Sequence, residues 1–251
     1  MDIQYFGKRN YGCRIREYTA DGLRCVSLEN NLVRVGILLD KGADIFEFVY
    51  KPRDVDFMFT SPLPFAKNII PTSANPAGNF MDYYEGGWQE MFPGISTGGC
   101  VNKASLGMHG EVALLPWDIE VLKDDVSEIS VRLRVRTLRF PFLLARTLTL
   151  RENDSTLYVE EQIDNEGRQE LPYQWGHHPA LGGRFLDDSC EICVEGNPSF
   201  QAVPADLGPT CCLAAGQQGI WPMAVGRTGE TVDLSAVRGL DSREYREFGL
   251  S

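Results

Sequence analysis

Three histidines, at 109, 177 and 178, are the only side chains in this 251-residue chain whose ordinary pKa lies close to neutrality. Two of them are adjacent, in YQWGHHPAL at residues 173–181. Imidazole exchanges protons at working pH, so the first chemistry these residues suggest is general acid and base catalysis. If the segment is a strand, alternation separates the two rings. Tyr173, Trp175 and His177 then share a bulky face suited to a core. Gln174, Gly176 and His178 share the other, which offers an amide, bare backbone and an imidazole. His178 is therefore expected to face a ligand, and His177 to be a structural histidine hydrogen-bonded in or beside the core.

His109 lies in LGMHGEVALLPW, where glycines on both sides let the chain turn sharply and present the ring. Glu111 follows closely and Trp117 ends the segment. Upstream, MDYYEGGWQEMFPG crowds aromatic, carboxylate and amide groups into a short span. A flat apolar ring beside hydroxyl acceptors is what a sugar requires, which makes Trp88, Glu90 and Gln174 candidate contacts. The plainer alternative is an apolar hairpin with two exposed glutamates.

Other chemistries lack their signatures. There is no phosphate-binding glycine loop and no GxSxG elbow, and the histidines do not fall in a metal-ligand spacing. No metal and no cofactor is expected. Cys190 and Cys193 have CxxC spacing, but the alternation around them reads as a strand that sends the two thiols to opposite faces. The seven cysteines are expected to be free thiols.

The elements that position these groups read as strands. In EISVRLRVRTL, Ile129, Val131, Leu133 and Val135 alternate with polar residues, a period of two. LARTLTL and STLYVEEQIDN follow, separated by an Asn153-Asp154 turn, and complete an antiparallel meander. Earlier, residues 23–51 break at Asn30-Asn31 and Lys41-Gly42 into three further strands. Residues 51–80 carry five prolines without a sustained period and read as a long loop. With 25 glycines and 14 prolines scattered along the chain, long helices have little room.

The apolar fraction of 43% suits a substantial core, and a net charge of -11 disfavours nucleic acid or an anionic membrane as partner. No secretory leader or membrane span is evident, so a cytoplasmic location is expected. The expected fold is one all-β domain over residues 1–251.

Three segments together resemble the aldose 1-epimerase (galactose mutarotase-like) superfamily. LENNLVRVGILLDKGADIFEFVYKPRDVDFMF resembles its opening strands. GMHGEVALLPWDIE resembles its His-Gly motif followed by Pro-Trp, and HPAL at His178 resembles its second histidine motif. EGGWQEMFPG is similar to a bacterial branch of epimerase-like proteins whose sugar is undefined.

The resemblance implies an antiparallel β-supersandwich with few short helices, and a sugar or sugar acid as the small-molecule partner. It implies anomer interconversion by acid/base-assisted ring opening, with His178 protonating the ring oxygen and His109 hydrogen-bonding beside it. A non-catalytic carbohydrate-binding protein of the same fold is the alternative. Asp241, in GLDSREY, weakly resembles the family's substrate-binding aspartate. Two features depart from the family. The expected glutamate base near the chain end, in a Glu-Pro setting, has no counterpart in DSREYREFGLS. Either the last strands are missing or the base comes from elsewhere, with Glu90, Glu244 and Glu247 available. The second departure is the arginine expected after Phe-Pro, which FPGISTGGCVNK lacks; Lys103 is only a loose substitute, and this disfavours a sugar phosphate.

Overall fold

A computed structural model describes residues 9–65, 76–95, 99–101, 104–182, 185–204, 206, 208–237, 246 and 248–250. The chain forms two compact units, residues 1–183 and 184–251.

The first unit is an all-β sandwich. One sheet takes β1 (Arg14–Ala20), β2 (Leu23–Glu29), β3 (Val33–Leu38) and β4 (Asp44–Tyr50) from consecutive antiparallel hairpins, with short β5 (Val55–Asp56) beside β4. The seven-residue helix α1 (Pro76–Asp82) precedes β6 (Trp88–Met91), and a small hairpin follows from β7 (Gly99–Val101) and β8 (Ala104–Leu106). The facing sheet is the expected meander: β9 (Asp118–Asp124), β10 (Glu128–Arg136), β11 (Phe142–Arg151) and β12 (Tyr158–Asn165). The chain then returns to the first sheet as β13 (Gly176–Pro179), which pairs with β6, while β6 meets β4 at Ile45 and Trp88.

Alternation explains the core. Ile129, Val131 and Leu133 of β10 and Phe142, Leu144, Leu148 and Leu150 of β11 point inward. There they meet Leu28, Val35, Ile37 and Ile45 of the first sheet. Each such side chain removed from water contributes about 1.5–3 kcal/mol. The same alternation puts Arg146 on the inward face of β11, where it is 2% exposed. An arginine at such depth needs partners, and its partners lie at the candidate site.

The second unit has a smaller core built on Phe200, Leu213, Trp221 and Leu234. Strand β14 (Ser199–Ala202) pairs with β15 (Gln218–Ile220) and β18 (Phe248–Leu250), and β16 (Met223–Val225) pairs with β17 (Thr231–Asp233). The strand expected around Cys190–Cys193 reduces to an isolated bridge between Glu191 and Ala236. Among the described residues, the segment lacks the neighbour that would complete a ladder. Both thiols are free, as expected.

Of the expected long loop at 51–80, residues 66–75 lie outside the described residues. Its described parts hold β5 and the start of α1. Among the described residues, no helix is long and apolar enough to cross a membrane.

Candidate functional site

The antiparallel register of β6 and β13 sorts the candidates. Gln89 lies opposite His178 and Glu90 opposite His177. Directly opposed residues share a face, so the two histidines fall on opposite sides of the sheet. The strand is shorter than expected, beginning at Gly176 rather than Tyr173, yet the separation of the two rings holds.

On the His178 face, His109 arrives from a distant turn. The two imidazoles lie 5.1 Å apart between ring centroids. Phe80 packs edge-on against both, at 4.5 Å from His109 and 5.8 Å from His178, and Tyr84 packs edge-on against His178 at 5.4 Å. The expected turn at His109 is real but differs in detail, because His109 itself adopts the left-handed conformation, with φ 59°. A non-glycine residue held there costs free energy that the surrounding structure must supply, a pattern concentrated at functional sites. Gly110, at φ 81°, cannot be replaced without conflict: a β-carbon would sit 2.2 Å from the Phe92 carbonyl oxygen.

His109 Nδ1 lies 2.8 Å from the Ile95 carbonyl oxygen. A carbonyl only accepts, so Nδ1 carries the proton and the lone pair is on Nε2. Burial lowers the pKa of His109, and the neighbouring His178 lowers it further. Burial likewise lowers that of His178, whose Nδ1 is shielded from water and has no hydrogen-bond partner among the described residues. Two neutral or singly protonated rings in contact with aromatic walls can take up and deliver protons near neutrality.

A buried ion cluster lies on the same sheet face as His178. Lys41 Nζ meets Asp44 Oδ2 at 2.7 Å and Glu85 Oε1 at 2.6 Å, and none of the three side chains is more than 6% exposed. Burial pushes the Glu85 carboxyl up to about 8, reinforced by Asp44. Burial pulls Lys41 down, but its two carboxylate partners outweigh this and the net shift is upward.

On the opposite face, Glu90 is fully buried. Glu90, expected as a sugar contact, is turned inward with His177 by strand alternation. Arg146 reaches Glu90 Oε2 at 2.9 Å and Glu161 Oε1 at 3.2 Å, and its guanidinium lies 5.0 Å from the centre of the Trp117 ring. Trp88 also lies on this face and donates from Nε1 to His177 Nδ1 at 3.1 Å, while His177 Nε2 meets Glu161 Oε2 at 3.1 Å. Trp175 donates to Glu90. His177 is thus tied into the sandwich edge as a structural histidine. Its pKa is raised, first by the Glu161 hydrogen bond. Burial pushes Glu90 up to about 7, whereas Glu161 is held below the usual range because hydrogen bonds from His177 and Glu90 outweigh its own burial.

Glu90, Glu161 and His177 offer ligand atoms all within 4.8 Å of one another. A dication placed there would face the fixed guanidinium of Arg146, which already neutralises the carboxylates. The cluster is better suited to sharing a proton than to holding a metal. Glu111, another carboxylate near His109 in sequence, is occupied by the Leu138 N–H at 2.6 Å and by Arg139.

Gln174 precedes β13; the residue is exposed and its backbone N–H donates to the Pro93 carbonyl at 3.0 Å. The amide directly across from His178 is Gln89 instead. Asp241, Glu244, Glu247 and Lys103 lie outside the described residues.

A family model described as a domain of unknown function, DUF4432, matches residues 20–206. The chain belongs to the DUF4432 family. The matched span holds every described residue of both histidine faces. No curated protein matches the chain. Among solved structures, this DUF4432 member is similar to a TPR-domain containing protein from Parabacteroides distasonis, at 15% identity and a TM-score of 0.56. That match covers 79% of this chain and 28% of the other, so the chain spans under a third of its relative's length. A second similar structure, titled HI1317, has 9% identity and a TM-score of 0.45, covering 91% of this chain and 70% of the other. The likeness to the first is one of all-β fold.

Proposed function

We propose that the His109–His178 face performs aldose 1-epimerase chemistry on a free sugar or sugar acid. The observation that carries the reading is the contact between two imidazoles from separate segments, one with an unprotonated Nε2. Anomer exchange needs a base and an acid together. His109 Nε2 takes the proton from the O1 hydroxyl while protonated His178 delivers one to the ring oxygen. The C1–ring-oxygen bond breaks and C1=O1 forms. After rotation about the C1–C2 bond, the same transfers in reverse close the ring on the other face. The protein ends in its starting protonation state, and no cofactor is required. The Phe80 and Tyr84 rings supply apolar surface of the kind a sugar face packs on. The histidine motifs resembling those of aldose 1-epimerases support the same reading.

Saturation-transfer NMR on a panel of aldoses and uronic acids tests it. Exchange above the buffer rate, lost in His178→Asn, is the expected result. Sugar binding without exchange would favour the carbohydrate-binding alternative, and neither binding nor exchange would end both.

A further inference from the structure

The resemblance leaves the site without its usual carboxylate, while the structure puts Asp44 in one cross-strand row with His178 and joins it through Lys41 to Glu85. Ile45 pairs with Trp88 across β4 and β6, and Gln89 pairs with His178 across β6 and β13. One step along the first antiparallel pair, Asp44 falls beside Gln89. Asp44, Gln89 and His178 therefore form one row across three strands, on one face. Asp44 is fully buried, and its Oδ2 meets Lys41 at 2.7 Å. Glu85 bonds the same ammonium and directly follows Tyr84, whose ring packs on His178.

We propose that the Lys41–Asp44–Glu85 cluster decides which histidine of the pair carries the proton, holding it on His178 and leaving His109 as the base. Its members are positioning residues, and their catalytic meaning rests on the reading given under Proposed function. The two rings are close enough that protonating both is unfavourable, so at most one carries the charge at a time. Among the described residues, the groups packed on His109 are His178, Phe80 and the Ile95 carbonyl, none of them an anion. Those packed on His178 among the described residues are His109, Phe80 and Tyr84, with the Asp44 charge on the same face favouring the imidazolium. The asymmetry lies in Asp44. Asp44 is the member whose charge acts on His178, while burial and Asp44 push the Glu85 carboxyl up to about 8, so that Lys41 serves chiefly Asp44 at neutrality.

The test is a ring-nitrogen NMR titration of His109 and His178 in the full chain without ligand, compared with Asp44→Asn and Glu85→Gln. Asp44→Asn is expected to lower the His178 midpoint by about 1 pH unit while moving His109 less. In the unaltered protein, the His178 ring is expected to show a second inflection near pH 8 that Glu85→Gln removes. His178 titrating identically in all three proteins would overturn the proposal. If Asp44→Asn does not fold, Glu85→Gln decides alone, because the amide mimics the protonated carboxyl already present below pH 8. The readout is independent of turnover. Absent anomer exchange with a shifted titration would refute the epimerase reading only, and an unmoved titration with intact exchange would refute the cluster's role only.

Discussion

The two faces of the β6–β13 pair present the same ingredients with opposite outcomes. Each has a histidine from the His177-His178 step, two buried carboxyl groups and one buried cation. On the inward face, both ring nitrogens of His177 are engaged, Nδ1 accepting from Trp88 and Nε2 donating to Glu161, while the Glu161 hydrogen bond raises its pKa. On the outer face, His178 Nδ1 has no partner among the described residues and burial lowers the ring's pKa. The difference is one of vacancy: a fully partnered imidazole fixes structure, and a partly partnered one beside a second imidazole is free to move protons. Cation choice follows the same division. Arg146 spans two carboxylates and stacks on Trp117, which a planar fork does well, whereas Lys41 serves as a compact charge between Asp44 and Glu85.

The comparison breaks most visibly at Arg146. Arg146→Met leaves Glu90 and Glu161 facing each other with only His177 beside them and is expected to cost about 3–5 kcal/mol of stability in denaturant unfolding. Adding Glu90→Gln should restore part of that loss, since the amide removes one of the two opposed charges. His178→Asn, by contrast, should leave the unfolding midpoint close to that of the parent while reducing anomer exchange by about 100-fold or more. His177→Asn should do the reverse, lowering stability by about 1 kcal/mol through the Glu161 and Trp88 hydrogen bonds and retaining most of the exchange rate. Equal losses of exchange in the two variants would erase the distinction between the faces.

The smallest expected effect is in pH dependence. The folded pKa of His177 lies above its ordinary 6.5, so its stabilisation is fully present below pH 6.5 and is lost as pH rises through the folded value. The folded pKa values of His109 and His178 lie below 6.5, so their contribution is present above pH 6.5 and is lost as pH falls through those values. Unfolding midpoints measured from pH 5 to 8 should therefore change in opposite directions for His177→Asn and His178→Asn, and parallel curves would contradict the assignment of the two rings.

Much of this architecture is legible in residue patterns. The alternation in EISVRLRVRTL, the Asn153 turn and the breaks at Asn30-Asn31 and Lys41-Gly42 delimit β2–β4 and β10–β12, because a half-buried strand must repeat every two residues. The division of labour between His177 and His178 follows from the same period. Arg146 also left a signal, an arginine on the apolar side of LARTLTL, and such a residue calls for buried carboxylates.

Other relations have no local signature. That Glu90 pairs with His177 rather than lining the His178 face depends on the register between strands more than 80 residues apart in sequence. Lys41, Asp44 and Glu85 read as ordinary surface charges at a turn and in a loop, and only the tertiary fold buries them together, with Asp44 in one row with His178. The sequence by itself determined the strands, their faces and the residue types able to move protons, since these depend on neighbours one or two positions away. Tertiary structure alone decided which histidine is partnered and which acid lies in one row with the other, because those contacts are set by pairing across the sheet and by the dielectric of a shared interior.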